Sequence, residues 1–383
     1  MKIIHVLRAP VGGLFRCALD LIRGQIEQGH AVGLVCDQRA SESTEALLAT
    51  LTPHLRLGIA RLAIPRTPSY HDWQVIRTLS QWLRSRNPDV VHGHGAKGGA
   101  YARLADHGGL RVYTPHGGSL LERPDWLARL VRLLYIRLEH HLCPKTDLFI
   151  FESAYCQRVF LRDVGTPTAV VRQIHNGLAP SEFYTVSPGT GATDVVFIGE
   201  LRSVKGVDTL LHALARLHHQ GKNYTATIVG DGANGRSLQR LSARLGLAGA
   251  VRFVGAMPAA EGFRLGRLLV IPSRAESLPY IVMEALSARM PTVATQVGGI
   301  EEIYAPHTEL LIPPNQPQRL AMAIAERLET LDQQQVILTE LQDWCAQRFR
   351  LETMRQQVLG AYAEVLDSLQ RFNSEFFNPT SLS

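Results

Sequence analysis

Two glutamates lie eight residues apart in the segment ESLPYIVMEALSA, which begins at Glu276. A polar loop precedes the segment, and the apolar run after its proline predicts a helix with Ser277 as the N-cap. A helix start offers free backbone N–H groups and a positive dipole end to an anion such as a phosphate. Glu276 and Glu284 would lie roughly 12 Å apart at about 1.5 Å per residue. This span predicts a site for a sugar at one carboxylate, a ribose at the other and a diphosphate between them.

The apolar neighbours of Glu284 predict that its side chain points inward. The alternative is that Glu276 and Glu284 are ordinary surface acids. Basic residues support the first interpretation, since GELRSVKG places Arg202 and Lys205 just after a predicted strand. Two cations at a strand end would neutralise a departing diphosphate; otherwise they are solvated surface charges.

Two glycines, Gly12 and Gly13, follow the first predicted strand and precede a helix. Without side chains, their backbone amides can approach an anion closely. A tight turn between strand and helix would explain them nearly as well.

Histidines mark two further strand ends. His116, in TPHGG, could hydrogen-bond a hydroxyl as a neutral imidazole or relay a proton, or it could be structural. His92 and His94 alternate near a strand end; we expect them to face opposite ways, with His94 reaching the site. Lys97 opens the following helix and could attract a phosphate. An H-x-H pair can ligate a metal, but no acidic or thiol partner lies nearby in the sequence, so we expect no metal.

The elements that must position these residues alternate almost throughout between short apolar strands and amphipathic helices. This pattern predicts an α/β protein with parallel sheets and helices on both faces. We expect two Rossmann-like domains, 1–180 and 194–345, separated by a Gly-, Pro- and Ser-rich linker at 181–193. A helix at 346–371 would return to the first domain, and 372–383 would be a frayed tail. Parallel sheets bind ligands at the carboxyl ends of their strands, so the site is expected in the cleft between the two domains.

The composition narrows the class of protein. The 383 residues are 45% hydrophobic and 19% charged, and the five cysteines show no metal or disulfide spacing. No apolar run approaches the roughly 18 residues of a membrane span, so we expect a cytoplasmic protein. The net charge of +6 suits anionic ligands. The basic residues are dispersed rather than striped, which argues against nucleic acid as a partner.

Taken in order, these motifs resemble the retaining glycosyltransferases of family 4, which have the GT-B fold. The E-x7-E spacing with a proline inside it carries the resemblance, which extends over about residues 1–350. Other stretches agree in order: GGLFRCALDLIRGQIEQGHAVGLVCD, DVVHGHGAKGGAYARLA, VYTPHGGSL, IHNGL followed by EF, VFIGELRSVKGVDTLLHALARL, IVGDG and VGGIEEI.

The resemblance implies a role for each candidate. Glu276 holds donor-sugar hydroxyls, and Glu284 holds the ribose of a nucleoside diphosphate sugar. In much of the family a basic residue directly follows the glycine where this chain has Glu200, so Arg202 is the expected substitute. The resemblance also implies that Lys205 stabilises the leaving diphosphate and that His116 contacts the transferred sugar. Acceptor-side contacts would come from His94 and Lys97. Further contacts with the donor would come from Ser277, Leu278, Gly12 and Gly13.

The resemblance also implies transfer from a donor that is most commonly UDP-linked, without a metal or other cofactor. The acceptor would be a carbohydrate or lipid-linked oligosaccharide of surface-polysaccharide assembly. Residues 123–145, RPDWLARLVRLLYIRLEHHLCPK, are basic and rich in leucine, and would let the protein bind an anionic membrane at its inner face. Two alternatives stay open at this point: a sugar-nucleotide epimerase of the same architecture, and a non-catalytic subunit that binds nucleotide sugars.

Overall fold

The computed structural model describes residues 1–117 and 126–376, with the side chains of 126–129 and 372–376 left out. The chain forms two compact units: Met1–Asn176 with the chain from Leu351 onward, and Gly177–Arg350. Each unit is built around its own parallel sheet. The fold is thus α/β with two Rossmann-like units, as the alternating pattern predicts.

The first unit has seven parallel strands in the order β3-β2-β1-β4-β5-β6-β7. They are β1 (Lys2–Leu7), β2 (Ala31–Asp37), β3 (Gly58–Leu62), β4 (Val90–His94), β5 (Leu110–Thr114), β6 (Leu148–Phe151) and β7 (Val170–Gln173). The helices between them are α1 (Gly12–Glu27), α2 (Glu42–Leu51), α3 (His71–Arg84), α4 (Gly95–Leu104), α5 (Trp126–Leu142) and α6 (Ala154–Asp163).

The second unit has five parallel strands in the order β10-β9-β8-β11-β12. They are β8 (Thr193–Ile198), β9 (Ala226–Val229), β10 (Val251–Phe253), β11 (Gly266–Ile271) and β12 (Thr292–Ala294). Its helices are α7 (Val207–His219), α8 (Gly235–Arg244), α9 (Ala259–Phe263), α10 (Tyr280–Ser287), α11 (Ile300–Ile303), α12 (Pro317–Glu329) and α13 (Gln335–Arg348).

The strand sequences explain why these sheets are interior. In β1, Ile3, Ile4, Val6 and Leu7 are all fully buried, on both faces of the strand. Near-continuous apolar strands of this kind are stable only when helices cover both faces of a parallel sheet.

The strand order reverses once in each sheet. In the first sheet the reversal falls between β1 and β4, and in the second between β8 and β11. At such a point the loops after two neighbouring strands diverge to opposite faces and leave a crevice for a ligand. The sites of this protein are therefore expected after β1, β4, β8 and β11.

The last helix, α14 (Leu351–Phe376), belongs to the first unit. Arg355 Nε donates to the Asp20 carbonyl at 2.9 Å. Helix α14 extends through residue 376, beyond the 371 boundary expected from the sequence, and residues 377–383 of the expected tail lie outside the described residues. The expected linker 181–193 lies against the second unit, where the Val186 amide donates to the Ala288 carbonyl at 2.9 Å.

Two segments depart from the rule that strands are short apolar runs. Strand β3, with the sequence GIARL, is short and carries a charged residue. Conversely, the apolar run Leu310–Ile312 makes a single isolated bridge in the described second unit, from Thr295 to Ile312.

Candidate functional site

Lys205 and Glu276 meet at the switch point of the second sheet. Lys205 ends the short turn Ser203–Lys205 after β8, and Glu276 lies in the loop after β11. Lys205 Nζ donates to Glu276 Oε1 at 2.7 Å, and Ser273 Oγ donates to the same oxygen at 2.7 Å. Glu276 is only 8% exposed, so this carboxylate is not an ordinary surface acid. Both bonds go to Oε1, which leaves Oε2 available to a ligand.

Arg274 ties these two loops together, and sequence analysis missed it. Its backbone amide donates to the Val204 carbonyl at 2.8 Å, and its guanidinium donates to Asp208 at 2.6 Å. The Lys205 turn and the Glu276 loop are thus fixed to each other by a charged side chain with several donors. A charged residue three positions after an apolar strand was the available signal.

The glycines of VGGIEEI support the same loop from the other side. Gly298 has φ +61°, and a Cβ there would lie 1.8 Å from the Glu276 carbonyl oxygen. The Gly299 amide donates to the Ser277 carbonyl at 2.8 Å. The Glu276 loop can take its position only because the residue opposite has no side chain.

Glu284 lies on α10, as the sequence predicts, and it is partly buried. The N-cap is Pro279 in extended conformation, so the prediction of Ser277 as the cap was wrong; the segment from Ser277 stays in the loop for two residues longer. Leu278 is buried and Ser277 partly so. Burial raises the pKa of the Tyr184 phenol, and the charge of Glu284 raises it further, which places Tyr184 near Glu284.

Arg202 lies at the rim of this site. It is 41% exposed at the side chain, and its Nη1 lies 3.3 Å from Glu200 Oε2. Glu200, the residue that departs from the family pattern, is therefore a partner of Arg202. An exposed pair at this distance is weak and can exchange for a ligand.

The predicted residues of the first unit gather at its own switch point. Gly12 has φ +68° and opens α1 directly after β1, with Gly12 and Gly13 both exposed. Lys97 lies in the first turn of α4, after β4, and its Nζ donates to Asp72 at 2.5 Å. Tyr101 also donates to Asp72. Lys97 is thus already neutralised, and binding a phosphate would require it to leave Asp72.

His92 and His94 share a face of β4. Their rings lie 4.0 Å apart between centroids. The expectation that they face opposite ways was wrong, because residues two apart in a strand point to the same side. Sequence analysis also missed His5, which pairs with His92 in the register of β1 and β4. A histidine in the otherwise largely apolar first strand was the available signal for this residue.

Three of the histidines are joined by hydrogen bonds, and His92 packs against two of them. His94 Nδ1 lies 3.1 Å from His116 Nε2, and His94 Nε2 lies 2.9 Å from His5 Nδ1. Burial lowers the pKa of His5 to about 4, and holds the pKa of His92 and His94 well below the usual value. Burial also lowers the pKa of His116, against the charge of Glu152, which raises it. All four imidazoles are neutral at physiological pH.

Among the residues that the structure describes, His5, His92 and His94 have ring nitrogens within 4.8 Å of one another, close enough to ligate a metal. The ring nitrogens of His5 and His94 already take part in hydrogen bonds with neighbouring side chains. His92 is likewise bound to Tyr362 and Thr114, at 2.6 and 2.8 Å. We therefore assign the cluster to hydrogen bonding; that catalysis needs no metal stays a prediction.

Comparison with known families decides the class. Residues 11–182 match the model described as Glycosyltransferase Family 4, and residues 192–330 match the model described as Glycosyl transferases group 1. The chain is a glycosyltransferase, with a family 4 domain followed by a group 1 domain. The first match contains Gly12, His94 and His116, and the second contains Lys205, Glu276 and Glu284.

Curated relatives of this glycosyltransferase have related names. Glycogen synthase of Mycobacterium tuberculosis is 27% identical over 347 residues, 83% of each chain. The putative glycosyltransferase EpsD of Bacillus subtilis is 29% identical over 63% of this chain and 68% of its own. Alpha-D-kanosaminyltransferase of Streptomyces kanamyceticus is 27% identical, but the match spans only 45% of either chain.

Solved structures share the GT-B fold of this glycosyltransferase. Sucrose-phosphate synthase of Thermosynechococcus elongatus has a TM-score of 0.79 at 19% identity, covering 96% of this chain and 100% of that one. HepE of Anabaena in complex with UDP and glucose has a TM-score of 0.75 at 21% identity, covering 95% and 100%. Within the described part of the glycosyltransferase, no helix is both long and apolar enough to cross a lipid bilayer.

Proposed function

We propose that this glycosyltransferase moves a sugar, with retention of configuration, from a UDP-sugar to a carbohydrate or lipid-linked oligosaccharide during polysaccharide synthesis. The binding of UDP and glucose by HepE supports the donor class. The acceptor class is supported by WaaG, a structural relative involved in lipopolysaccharide biosynthesis, with a TM-score of 0.71 at 16% identity over 93% of this chain and 98% of its own.

The observation that carries the proposal is the group formed by Lys205, Glu276 and Ser273. A partly buried lysine and a buried carboxylate at 2.7 Å neutralise each other. A diphosphate offers Lys205 a more highly charged partner. Glu276 then becomes free to accept hydrogen bonds from the sugar hydroxyls, with Ser273 keeping it in place. Donor binding thus creates the sugar-binding form of Glu276.

The other donor contacts surround this group. Glu284 accepts hydrogen bonds from the ribose, and Ser277 and Leu278 contact the donor from the loop before α10. Arg202 leaves Glu200 to bind the diphosphate beside Lys205. Gly12 and Gly13 open α1 of the first unit, and their exposed amides are neutral donors suited to a phosphate.

The residues that hold the leaving group determine how the sugar is transferred. As the bond from the anomeric carbon to the diphosphate oxygen breaks, Lys205 and Arg202 stabilise the charge that develops there. The acceptor oxygen bonds the anomeric carbon on the same face, and its proton passes to the leaving phosphate oxygen. His116 orients the sugar and acceptor hydroxyls. Retention then needs no covalent enzyme intermediate, and Glu276 stays hydrogen-bonded throughout.

Thermal unfolding with UDP, GDP, ADP and their sugar conjugates tests this assignment. A ligand at a hundred times its dissociation constant adds about 2.7 kcal/mol of stability, a visible shift. UDP is expected to stabilise the wild type and much less the Glu284→Ala variant. Glu326→Ala, which removes an exposed acid from α12 of the same unit, is the matched control and should behave as wild type. If no diphosphate stabilises the wild type, the donor site is misassigned.

A second proposal concerns α5: this helix docks the protein on an anionic membrane. Five of its apolar side chains are exposed by 37–65%: Leu130, Val131, Leu133, Leu134 and Leu138. Arg137 and, just after the helix, Lys145 are exposed beside them, and the net charge of the chain is +6. Apolar side chains flanked by cations on one helix fit the interface of anionic lipids. Of the other basic residues in 123–145, Arg132 is paired with Asp163, Arg123 lies outside the described residues and Arg129 has no described side chain.

Co-sedimentation with vesicles tests the docking surface. Vesicles with phosphatidylserine should bind the wild type at low salt, and neutral vesicles should bind it less. Leu133→Glu with Leu134→Glu should abolish binding, whereas Val336→Glu, at an exposed valine of the second unit, should not. Equal binding by both variants would refute the proposal.

A further inference from the structure

A line of hydrogen bonds runs from His116 into the core of the first unit. His116 Nε2 is 3.1 Å from His94 Nδ1, and His94 Nε2 is 2.9 Å from His5 Nδ1. His5 Nε2 is 2.8 Å from the amide oxygen of Gln25, on α1. We call these four residues the histidine chain. His94 and His5 are 1% and 0% exposed, and Gln25 is 1% exposed, so only His116 meets solvent.

The hydrogen bonds of the histidine chain all run in one direction, and Gln25 sets that direction. An amide oxygen can only accept, so His5 Nε2 carries a proton and His5 Nδ1 a lone pair. His94 Nε2 must then donate to His5, which makes His94 Nδ1 an acceptor. His116 Nε2 donates to that acceptor in turn. In neutral imidazoles each ring has one proton, so His116 Nδ1 is left with a lone pair.

The orientation of the Gln25 amide follows from its other neighbour. Tyr362 OH lies 2.6 Å from His92 Nδ1, and the Gln25 side chain interacts with the same hydroxyl. The Gln25 amide nitrogen is buried and makes no hydrogen bond within the described residues. A hydroxyl that donates to His92 offers this nitrogen an acceptor, which favours the amide oxygen turned to His5. A reversed amide would donate to His5, and every hydrogen bond of the histidine chain would then run in the opposite direction.

We propose that the histidine chain fixes His116 as the Nε2–H tautomer, so that its Nδ1 accepts a hydrogen bond from a hydroxyl of the bound sugar or acceptor. His5, His94 and Gln25 are positioning residues, which touch no substrate and act through His116. The hydrogen bond that Nδ1 accepts from a sugar or acceptor hydroxyl rests on the proposed function, whereas the assignment of the tautomer does not.

The histidine chain holds the His116 proton in place and does not conduct protons away from His116. A proton taken up at His116 Nδ1 could pass along the imidazoles only as far as Gln25, whose amide oxygen is not a base at physiological pH. The backbone adds a second constraint, since His116 has φ +52°, a conformation that non-glycine residues rarely adopt. The fixed backbone and the fixed tautomer together direct one lone pair outward.

Nitrogen NMR of histidine-labelled protein without substrate tests the tautomer. Long-range 1H–15N spectra should show a protonated Nε2 and an unprotonated Nδ1 for His5, His94 and His116. Gln25→Glu keeps an acceptor and should keep the pattern. Gln25→Met removes the acceptor and should give His116 a mixture of tautomers. In transfer assays, Gln25→Met should lower kcat at least about tenfold with the donor KM nearly unchanged, and Gln25→Glu should restore most of kcat.

His107→Gln is the matched control, because His107 is also buried in the first unit but bonds the Ala102 carbonyl instead of the histidine chain. It should leave the His116 tautomer unchanged. The proposal is overturned by an Nδ1–H tautomer in the wild type, by an unchanged tautomer in Gln25→Met, or by an equal effect of His107→Gln. Stoichiometric zinc whose removal alters the His5 and His94 signals would overturn it too. A changed tautomer with unchanged kcat would refute the use of the lone pair, and loss of UDP stabilisation in the wild type would instead refute the donor site.

Discussion

At the scale of single residues, the proposed donor site is an arrangement of charged side chains that neutralise one another. Lys205 and Glu276 are partners across two loops, and Arg202 and Glu200 are partners across two residues. The first pair is largely buried, where losing one member leaves an uncompensated charge. The second is exposed and weak. Substitutions at the two pairs should therefore have very different consequences.

Glu276→Ala should lower turnover by about 10²- to 10³-fold, because it removes the acceptor for the sugar hydroxyls in the transition state. UDP affinity should stay within about threefold, since the freed Lys205 still binds the diphosphate. Initial rates with UDP titrations by calorimetry measure both. Ser273→Ala, which removes one bond to the same carboxylate, should cost less. Equal, small effects of Glu276→Ala on turnover and on UDP affinity would contradict the assignment.

The buried imidazoles make stability depend on pH. His5 has a pKa of about 4 in the folded protein against 6.5 as the ordinary value, so the unfolded chain binds more protons between these values. Its contribution is complete above pH 6.5 and is lost as the pH falls towards 4. For His5 alone the loss amounts to about 3 kcal/mol. Urea unfolding at pH 7 and pH 4.5 should show it, and His5→Gln should reduce the difference while the exposed His219→Gln does not.

At the scale of elements, the site depends on loops that pack without side chains. The loop after β12 presents Gly298 to the Glu276 carbonyl, and α10 begins two residues later than a Ser277 cap would allow. The E-x7-E motif is thus positioned by the VGG motif from the neighbouring strand.

Gly298→Ala should destabilise the protein by about 2–4 kcal/mol, because it adds both a strained φ and a clash with backbone. Gly246→Ala provides the control. Gly246 has φ +73° with nothing within 4 Å of a Cβ, so it should cost only about 1 kcal/mol. Thermal unfolding and UDP binding would be measured for both. If the two variants lose equal stability, the contact with Glu276 is unimportant.

The sequence was informative wherever a local pattern decides structure. Buried strands such as β1 and the glutamate on α10 could be predicted because apolar runs and helical spacing are local signals. The partner of His94 could not, since His5 lies 89 residues away in the chain and meets it only through the register of β1 and β4. Sequence analysis missed the contacts of Arg274 for the same reason. Its contacts join loops about 70 residues apart.

At the scale of the whole molecule, the chain begins and ends in one unit. Helix α14 returns to the first unit, where Tyr362 contacts His92 at 2.6 Å and Arg355 contacts α1. The C-terminal helix therefore completes the core around the histidines.

Tyr362→Phe should lower the stability of the protein by about 1–2 kcal/mol, because it leaves the buried Nδ1 of His92 without its partner. UDP affinity should not change, since the side chains proposed to bind UDP, Lys205, Arg202 and Glu284, belong to the second unit. Chemical denaturation and UDP binding measure the two effects. Tyr70→Phe, at a tyrosine that is 74% exposed, should change neither. A loss of UDP affinity in Tyr362→Phe would contradict this division of roles.

The division of the chain has a consequence for how such enzymes diversify. Lys205, Ser273, Glu276 and Glu284 all lie in the continuous stretch Gly177–Arg350. Its two junctions are neighbours in space, because Leu178 and Arg350 form a parallel bridge and the Leu178 amide donates to the Phe349 carbonyl at 2.8 Å. Replacing this stretch, with one crossover at each junction, would exchange the proposed donor residues together. The first unit, with its histidines and helix α5, would pass unaltered to the descendant.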